Sequence, residues 1–115
     1  MGKGRALELM LTAQFIKADE AYRIGLVNRV VRKPEEGSQK DALITEARAM
    51  MSVILANGPI ALGLAIECTT RGMEMSVDDG LALESNRFGL LAATSDMREG
   101  MTAFLEKRTA AFTGK

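Results

Sequence analysis

Histidine and tryptophan are absent from this sequence, and cysteine and tyrosine occur once each. Without histidine the commonest general base and the commonest metal ligand are gone. Carboxylates, Cys68, Tyr22 and lysines are left to carry any chemistry. A single cysteine excludes an internal disulfide framework and fits a reducing compartment. Charge of either sign is not in excess: 15 Lys and Arg balance 15 Asp and Glu. The usual argument for a nucleic-acid or anionic-membrane partner is therefore missing. No apolar run reaches the length of a membrane span. The opening "MGKGRALELM" is basic but lacks the apolar segment and small-residue cleavage site of a signal peptide. A cytoplasmic location, with no membrane and no nucleic acid as partner, is the expectation.

What is present points to helices. Apolar residues make up 47% of the 115-residue chain and charged residues 26%, the balance of a globular rather than a disordered chain. Methionine is abundant at 8 residues, whereas aromatics reach only 4%. A core of Leu, Ala and Met with few rings suits helices packed closely, against each other or against another chain. The length suits one region, residues 1–115, and is small for a domain with a separate active site.

Along the chain, Leu7, Met10 and Leu11 share a helical face over Lys3 to Thr12. A second helix is expected from Ala18 to Ile24, with Asp19 and Glu20 in its first turn and Gly25 as its left-handed terminator. "LVNRVV" is a short β-branched run, extended or a brief strand. "RKPEEGSQK" gathers Pro, Gly, Ser and charges as a surface loop. From Asp41 the helical period returns through Leu43, Ala47, Met50, Met51 and Ile54. Pro59 opens a further helix to Arg71, ended by Gly72. That helix is apolar on nearly every side, through Ile60, Leu62, Leu64, Ala65 and Ile66, and a chain this short has little with which to bury it. Ser76 and Asp79 form a variant capping box before a helix through Leu81, Leu83, Phe88 and Leu91. The fold class is all-α: short antiparallel helices with at most one short strand.

No arrangement of residues amounts to an active site. Glu84 reads as a solvated or paired carboxylate, with no second acid or oxyanion donor at a telling spacing. Asp78 and Asp79 serve a helix N-terminus and lack further metal ligands. Cys68 reads as an inert small hydrophobe in an apolar helix. "GKG" at Gly2 lacks the context of a phosphate loop.

The most informative stretch is "SDMREGMTAFLEKR", Ser95 to Arg108, which opens on a capping signal. It places Met97, Met101, Phe104, Leu105 and the stem of Arg108 on one face. The bland reading is a docking helix covering a core, with Lys107 and Arg108 in its last turn facing the negative end of the dipole. Gly100 inside it costs about 1 kcal/mol relative to Ala and marks close approach of another backbone or a ligand. The sharper reading is that Phe104 and Lys107 present a ring and a cation together, suited to a ligand with an aromatic base and phosphates. Residue physics leaves both readings open.

Three motifs in order, "A-x-x-x-G-L-V" from Ala21, "G-L-x-L-E" from Gly80 and "E-G-x-x-A-F-x-E-K-R" from Glu99, resemble the C-terminal part of the crotonase family, the enoyl-CoA hydratases and isomerases. The resemblance runs from Gly2 to Lys115, with "RGMEM" as weaker support. It implies a helical region that follows a spiral of ββα turns, caps the acyl-CoA site and builds the oligomer. The family's oxyanion donors and catalytic glutamates lie in that spiral, so the resemblance implies no catalytic residue in this chain. Glu84 and Glu99 match positions of the helical region, not the catalytic acids. It implies that Phe104 and Lys107 approach the adenine and phosphates of CoA, which is part of the substrate rather than a resident cofactor. Acyl-CoA and further copies of the chain are the implied partners. Two departures stand out: Lys17 replaces the usual capping residue, and Ile66 stands where many members carry a lysine. The expected function is that of the oligomer-forming, site-capping region of a protein that hydrates 2-enoyl-CoA, inactive alone. The alternative is a stand-alone helical interaction module.

Overall fold

Six helices and no strand make up the computed structural model, which describes all residues, Met1–Lys115. They are α1 (Lys3–Thr12), α2 (Ala18–Arg23), α3 (Gln39–Leu55), α4 (Pro59–Gly72), α5 (Val77–Ala92) and α6 (Ser95–Glu106). The chain forms two compact units, Met1–Ala47 and Arg48–Lys115, with the division inside α3. No single helix is long and apolar enough to cross a membrane.

In the first unit, α1 is tied to α2 by Glu20, which accepts from Arg5 at 2.6 Å and from Arg23 at 2.6 and 2.7 Å. Lys17 is the N-cap of α2 and makes no side-chain cap bond, leaving that end without the usual acceptor. The other end is fully closed. The Leu26 N–H donates to the Ala21 carbonyl at 2.8 Å and the Gly25 N–H to the Tyr22 carbonyl at 3.0 Å, while Gly25 sits at φ +71°. This is a Schellman turn, and it explains why the "A-x-x-x-G-L" spacing occurs. "LVNRVV" pairs with nothing as a strand. It is held instead by Arg29 donating to Glu46 at 2.6 Å and by Gln39 donating to the Val31 carbonyl at 2.9 Å. Helix α3 starts at Gln39, two residues before the position read from apolar spacing, because Ser38 accepts from the Lys40 N–H at 3.2 Å.

In the second unit, α4 and α5 form an antiparallel hairpin. Near its turn the two backbones approach where Gly80 lies against Gly72: a Cβ at Gly80 would come within 3.8 Å of the Gly72 Cα. Farther along, Glu67 accepts from Arg87 at 2.8 and 2.7 Å and from Arg71 at 2.7 Å. Ser76 caps α5 as its spacing implied, accepting from the Asp79 N–H at 3.2 Å and donating to the Asp79 carboxylate at 2.7 Å. Helix α4 runs through Gly72 rather than stopping before it.

Neither unit has a core of large side chains. Ala21 and Ala103 are the only buried apolar residues, while Leu11, Phe15, Leu55, Ile66, Phe88, Phe104 and Leu105 are all exposed.

Candidate functional site

Thr94, not Ser95, caps α6, accepting from the Met97 N–H at 3.1 Å. Ser95 is thereby freed to donate to the Lys115 carbonyl at 2.7 Å, and the Asp96 N–H donates to the same oxygen at 3.1 Å. Asp96 is buried and accepts from the backbone N–H of Thr113 at 2.7 Å and of Gly114 at 2.8 Å. One turn later Glu99 accepts from Arg108 at 2.6 and 2.9 Å and from the Ala111 N–H at 2.8 Å. These two carboxylates strap the last seven residues along α6. Between them the Phe112 ring lies over Gly100, where an added Cβ would meet it at 3.4 Å. Close approach at Gly100 is thus by a ring of the chain's own tail.

The helix ends in a second Schellman turn. The Arg108 N–H donates to the Ala103 carbonyl at 3.0 Å and the Lys107 N–H to the Phe104 carbonyl at 3.3 Å. Lys107 occupies the left-handed position at φ +56°, which costs a side-chain-bearing residue about 1–2 kcal/mol. Lys107 and Arg108 therefore lie beyond the last turn rather than in it. Arg108 is committed to Glu99 and, at 2.6 Å, to Glu106.

The motif "E-G-x-x-A-F-x-E-K-R" can now be divided by what each residue touches. Glu99 and Arg108 form the clamp, Glu106 supports it, Gly100 admits Phe112, and Ala103 is buried. Phe104 is 83% exposed, and the Lys107 side chain makes no hydrogen bond or ion pair within the chain. They are the two motif residues whose side chains the fold leaves unengaged. Phe104 also forms one edge of an apolar cavity of about 380 Å³, whose walls include Ile60, Leu91, Met97, Met101 and Phe112. Asp96 also lines it.

Elsewhere the carboxylates whose titration is displaced all move down. Hydrogen bonds from Arg87 and then Arg71 hold Glu67 at about 2. Those from Arg108 and the Ala111 N–H hold Glu99 at about 2. The Thr113 and Gly114 N–H groups lower Asp96, against the opposing effect of its burial, and Arg23 with Arg5 lowers Glu20. These are acceptors fixed in the ionised form, the reverse of a general acid poised near neutrality. Glu84 is exposed and borders Cys68 and Arg87 without an ion pair of its own. Cys68 is half-buried and free. No group of three or more Asp, Glu or Cys side chains is placed to hold a metal ion.

Residue reading missed the Asp96 strap and the Glu99–Arg108 clamp. Glu99 and Arg108 are nine positions apart, too far for helical neighbours and too near to signal a tertiary pair. The one available signal was the chain reversal after Ala103, which a lysine in the glycine position conceals.

The enoyl-CoA hydratase/isomerase family profile matches residues 1–115, the whole chain. The crotonyl-CoA hydratase of Syntrophomonas wolfei is 45% identical over 115 residues, covering 100% of this chain and 42% of that protein. The human mitochondrial enoyl-CoA hydratase domain-containing protein 2 is 40% identical, with 100% and 38% covered. Among solved structures, the enoyl-CoA hydratase of Bacillus anthracis superposes with a TM-score of 0.89 at 37% identity, covering 99% of this chain and 42% of that one. The chain thus spans about two fifths of the length of these relatives. Its strand-free fold and this partial coverage fit the helical C-terminal region of such proteins. The chain belongs to the enoyl-CoA hydratase/isomerase family.

Proposed function

We propose that this chain is the oligomer-forming region of an enoyl-CoA hydratase/isomerase protein, that it caps the acyl-CoA site there, and that it is inactive alone. The observation that carries this reading is the contrast within α6 and its surroundings. Large apolar side chains, Phe104 among them, are left uncovered, while the polar motif residues Glu99, Glu106 and Arg108 are consumed by internal bonds and only Lys107 is not. Residues 1–115 act in this reading as one helical region whose open faces are covered by the remainder of the protein and by other copies.

Phe104 and Lys107 offer a ring and a cation at the chain reversal, and the reading gives them the adenine and phosphates of CoA. The stack and one exposed cation are weak contacts, about 0.5–1.5 kcal/mol and up to about 1 kcal/mol. They orient an acyl-CoA that is held elsewhere. Polarisation of the thioester carbonyl and addition of water to the double bond belong to backbone donors and carboxylates outside the matching residues. No cofactor beyond the CoA of the substrate is required. Incubation of the purified chain with crotonyl-CoA tests the inactivity: loss of the enoyl absorbance at the buffer rate is expected, and turnover above it overturns the reading.

A further inference from the structure

The two Schellman turns of this chain are built alike, and they differ at one place. In each, the carbonyl of a buried alanine, Ala21 or Ala103, accepts the 6→1 hydrogen bond. In each, the residue four positions on is left-handed, at φ +71° for Gly25 and φ +56° for Lys107. Glycine takes that conformation without steric cost and lysine does not. The other non-glycine residue with positive φ, Ala13 at 52°, has only a methyl group to place. The Lys107 turn has what the Gly25 turn lacks, namely a clamp. Arg108, the next residue, is gripped by Glu99 at 2.6 and 2.9 Å, and the same carboxylate takes the Ala111 N–H at 2.8 Å. The left-handed residue is thus pinned between the helix it ends and a strapped tail. A strained conformation persists only where its surroundings over-determine it.

We infer that Glu99 and Arg108 are positioning residues, whose clamp holds Lys107 left-handed so that its cation and the Phe104 ring stand at a fixed spacing toward the phosphates and base of CoA. This rests on the reading of Phe104 and Lys107 given above, and it adds how their placement is achieved. If the turn only ended a helix, glycine would serve, as it does at position 25. The side chain at 107 has no partner within the chain, so the lysine held at this strained position is left to meet something outside it. A lysine free to relax right-handed would carry its Cβ, and with it the ammonium, to another side of the helix end.

The test uses the 115-residue chain and CoA as the probe, titrated to millimolar concentration and followed by NMR. The clamp is removed by the double substitution Glu99→Ala with Arg108→Ala, which deletes one charge of each sign and leaves net charge unchanged. Lys107→Ala is expected to weaken CoA binding about threefold, as loss of an exposed charge contact does. The clamp variant is expected to weaken it similarly, and the triple variant no further, because the clamp acts through Lys107. Independently of ligand, the Lys107 carbon shifts and Hα–N couplings, which report the sign of φ, should be left-handed in the parent and averaged in the clamp variant. Lys107→Gly should retain the turn without the clamp, yet bind CoA as weakly as Lys107→Ala. No effect of CoA at Phe104 or Lys107, or no loss in Lys107→Ala, overturns the underlying reading of the site. A loss in Lys107→Ala with full binding in the clamp variant, or a left-handed Lys107 that survives without the clamp, overturns the positioning role alone.

Discussion

Asp96 receives the backbone N–H of Thr113 at 2.7 Å across 17 residues of chain, so the first turn of α6 holds the segment that leaves its last turn. Asp96→Ala removes both tail acceptors while leaving the Thr94 cap in place. Hydrogen exchange should show the Thr113 and Gly114 amides losing protection while those of α4 and α5 keep theirs. Gly114→Ala should act in the same direction, since Gly114 sits at φ +76° and an added Cβ would lie 3.1 Å from Pro59 Cγ. About 1–2 kcal/mol is expected for the backbone strain alone. Unchanged protection in both variants contradicts the strap.

The strap has a direction with pH. Asp96 and Glu99 are both held below their ordinary values of 3.8 and 4.5, Glu99 at about 2. A carboxylate depressed in the folded state contributes fully above its unfolded value, and that contribution is lost as pH falls through the folded value. Protection of the Ala111, Thr113 and Gly114 amides should therefore be flat from neutrality to about pH 5 and decline from about pH 4.5 toward pH 2. A decline beginning near neutrality would contradict these assignments.

In an enzyme carrying this chain, Lys107→Ala should raise KM for acyl-CoA with little change in kcat. The adenine end lies far from the reacting bond, and loss of uniform binding leaves the chemical step intact. Phe104→Ala should do more, because the ring also forms an edge of the 380 Å³ apolar cavity. Steady-state kinetics on crotonyl-CoA decide the matter: an unchanged KM in Lys107→Ala reduces the cation to a helix-end charge.

Two helix starts differ in capping, and that difference is measurable. Ser76 accepts a cap bond at 3.2 Å, whereas Lys17 accepts none. Ser76→Ala should cost about 1 kcal/mol, and Lys17→Ser should add up to about 1 kcal/mol to the stability of α2. Urea unfolding of each variant gives both signs in one comparison.

Much of the helical order was legible because its signals are local. Pro59, the Ser76–Asp79 box and Gly25 each act on the backbone within a few residues, and α4, α5 and α2 lie close to where those residues placed them. The start of α3 was misplaced because Ser38 was absorbed into a loop reading of "RKPEEGSQK". The site was legible only in outline. Phe104 and Lys107 could be singled out by chemistry, but their freedom from internal bonds depends on where Glu99, Arg108 and Phe112 go. Those partners meet through the reversal at Lys107, a conformation that residue preference argues against. Of the apolar surplus read from Leu62, Leu64 and Ile66, only Ile66 is exposed in this chain, while Leu62 and Leu64 are half-buried. The Met101, Phe104 and Leu105 face of α6, read as covering a core, covers none within this chain.

That uncovered surface carries the central claim, and self-association measures it most directly. Each 100 Å² of apolar surface removed from water is worth about 2.5 kcal/mol before the cost of association, and the proposed function expects the exposed Leu55, Ile66, Phe88 and Leu105 to be covered in this way by a second copy. Sedimentation equilibrium of the purified chain at micromolar concentration should show species larger than the monomer of 12.4 kDa. A single monomeric species across that range would contradict the account.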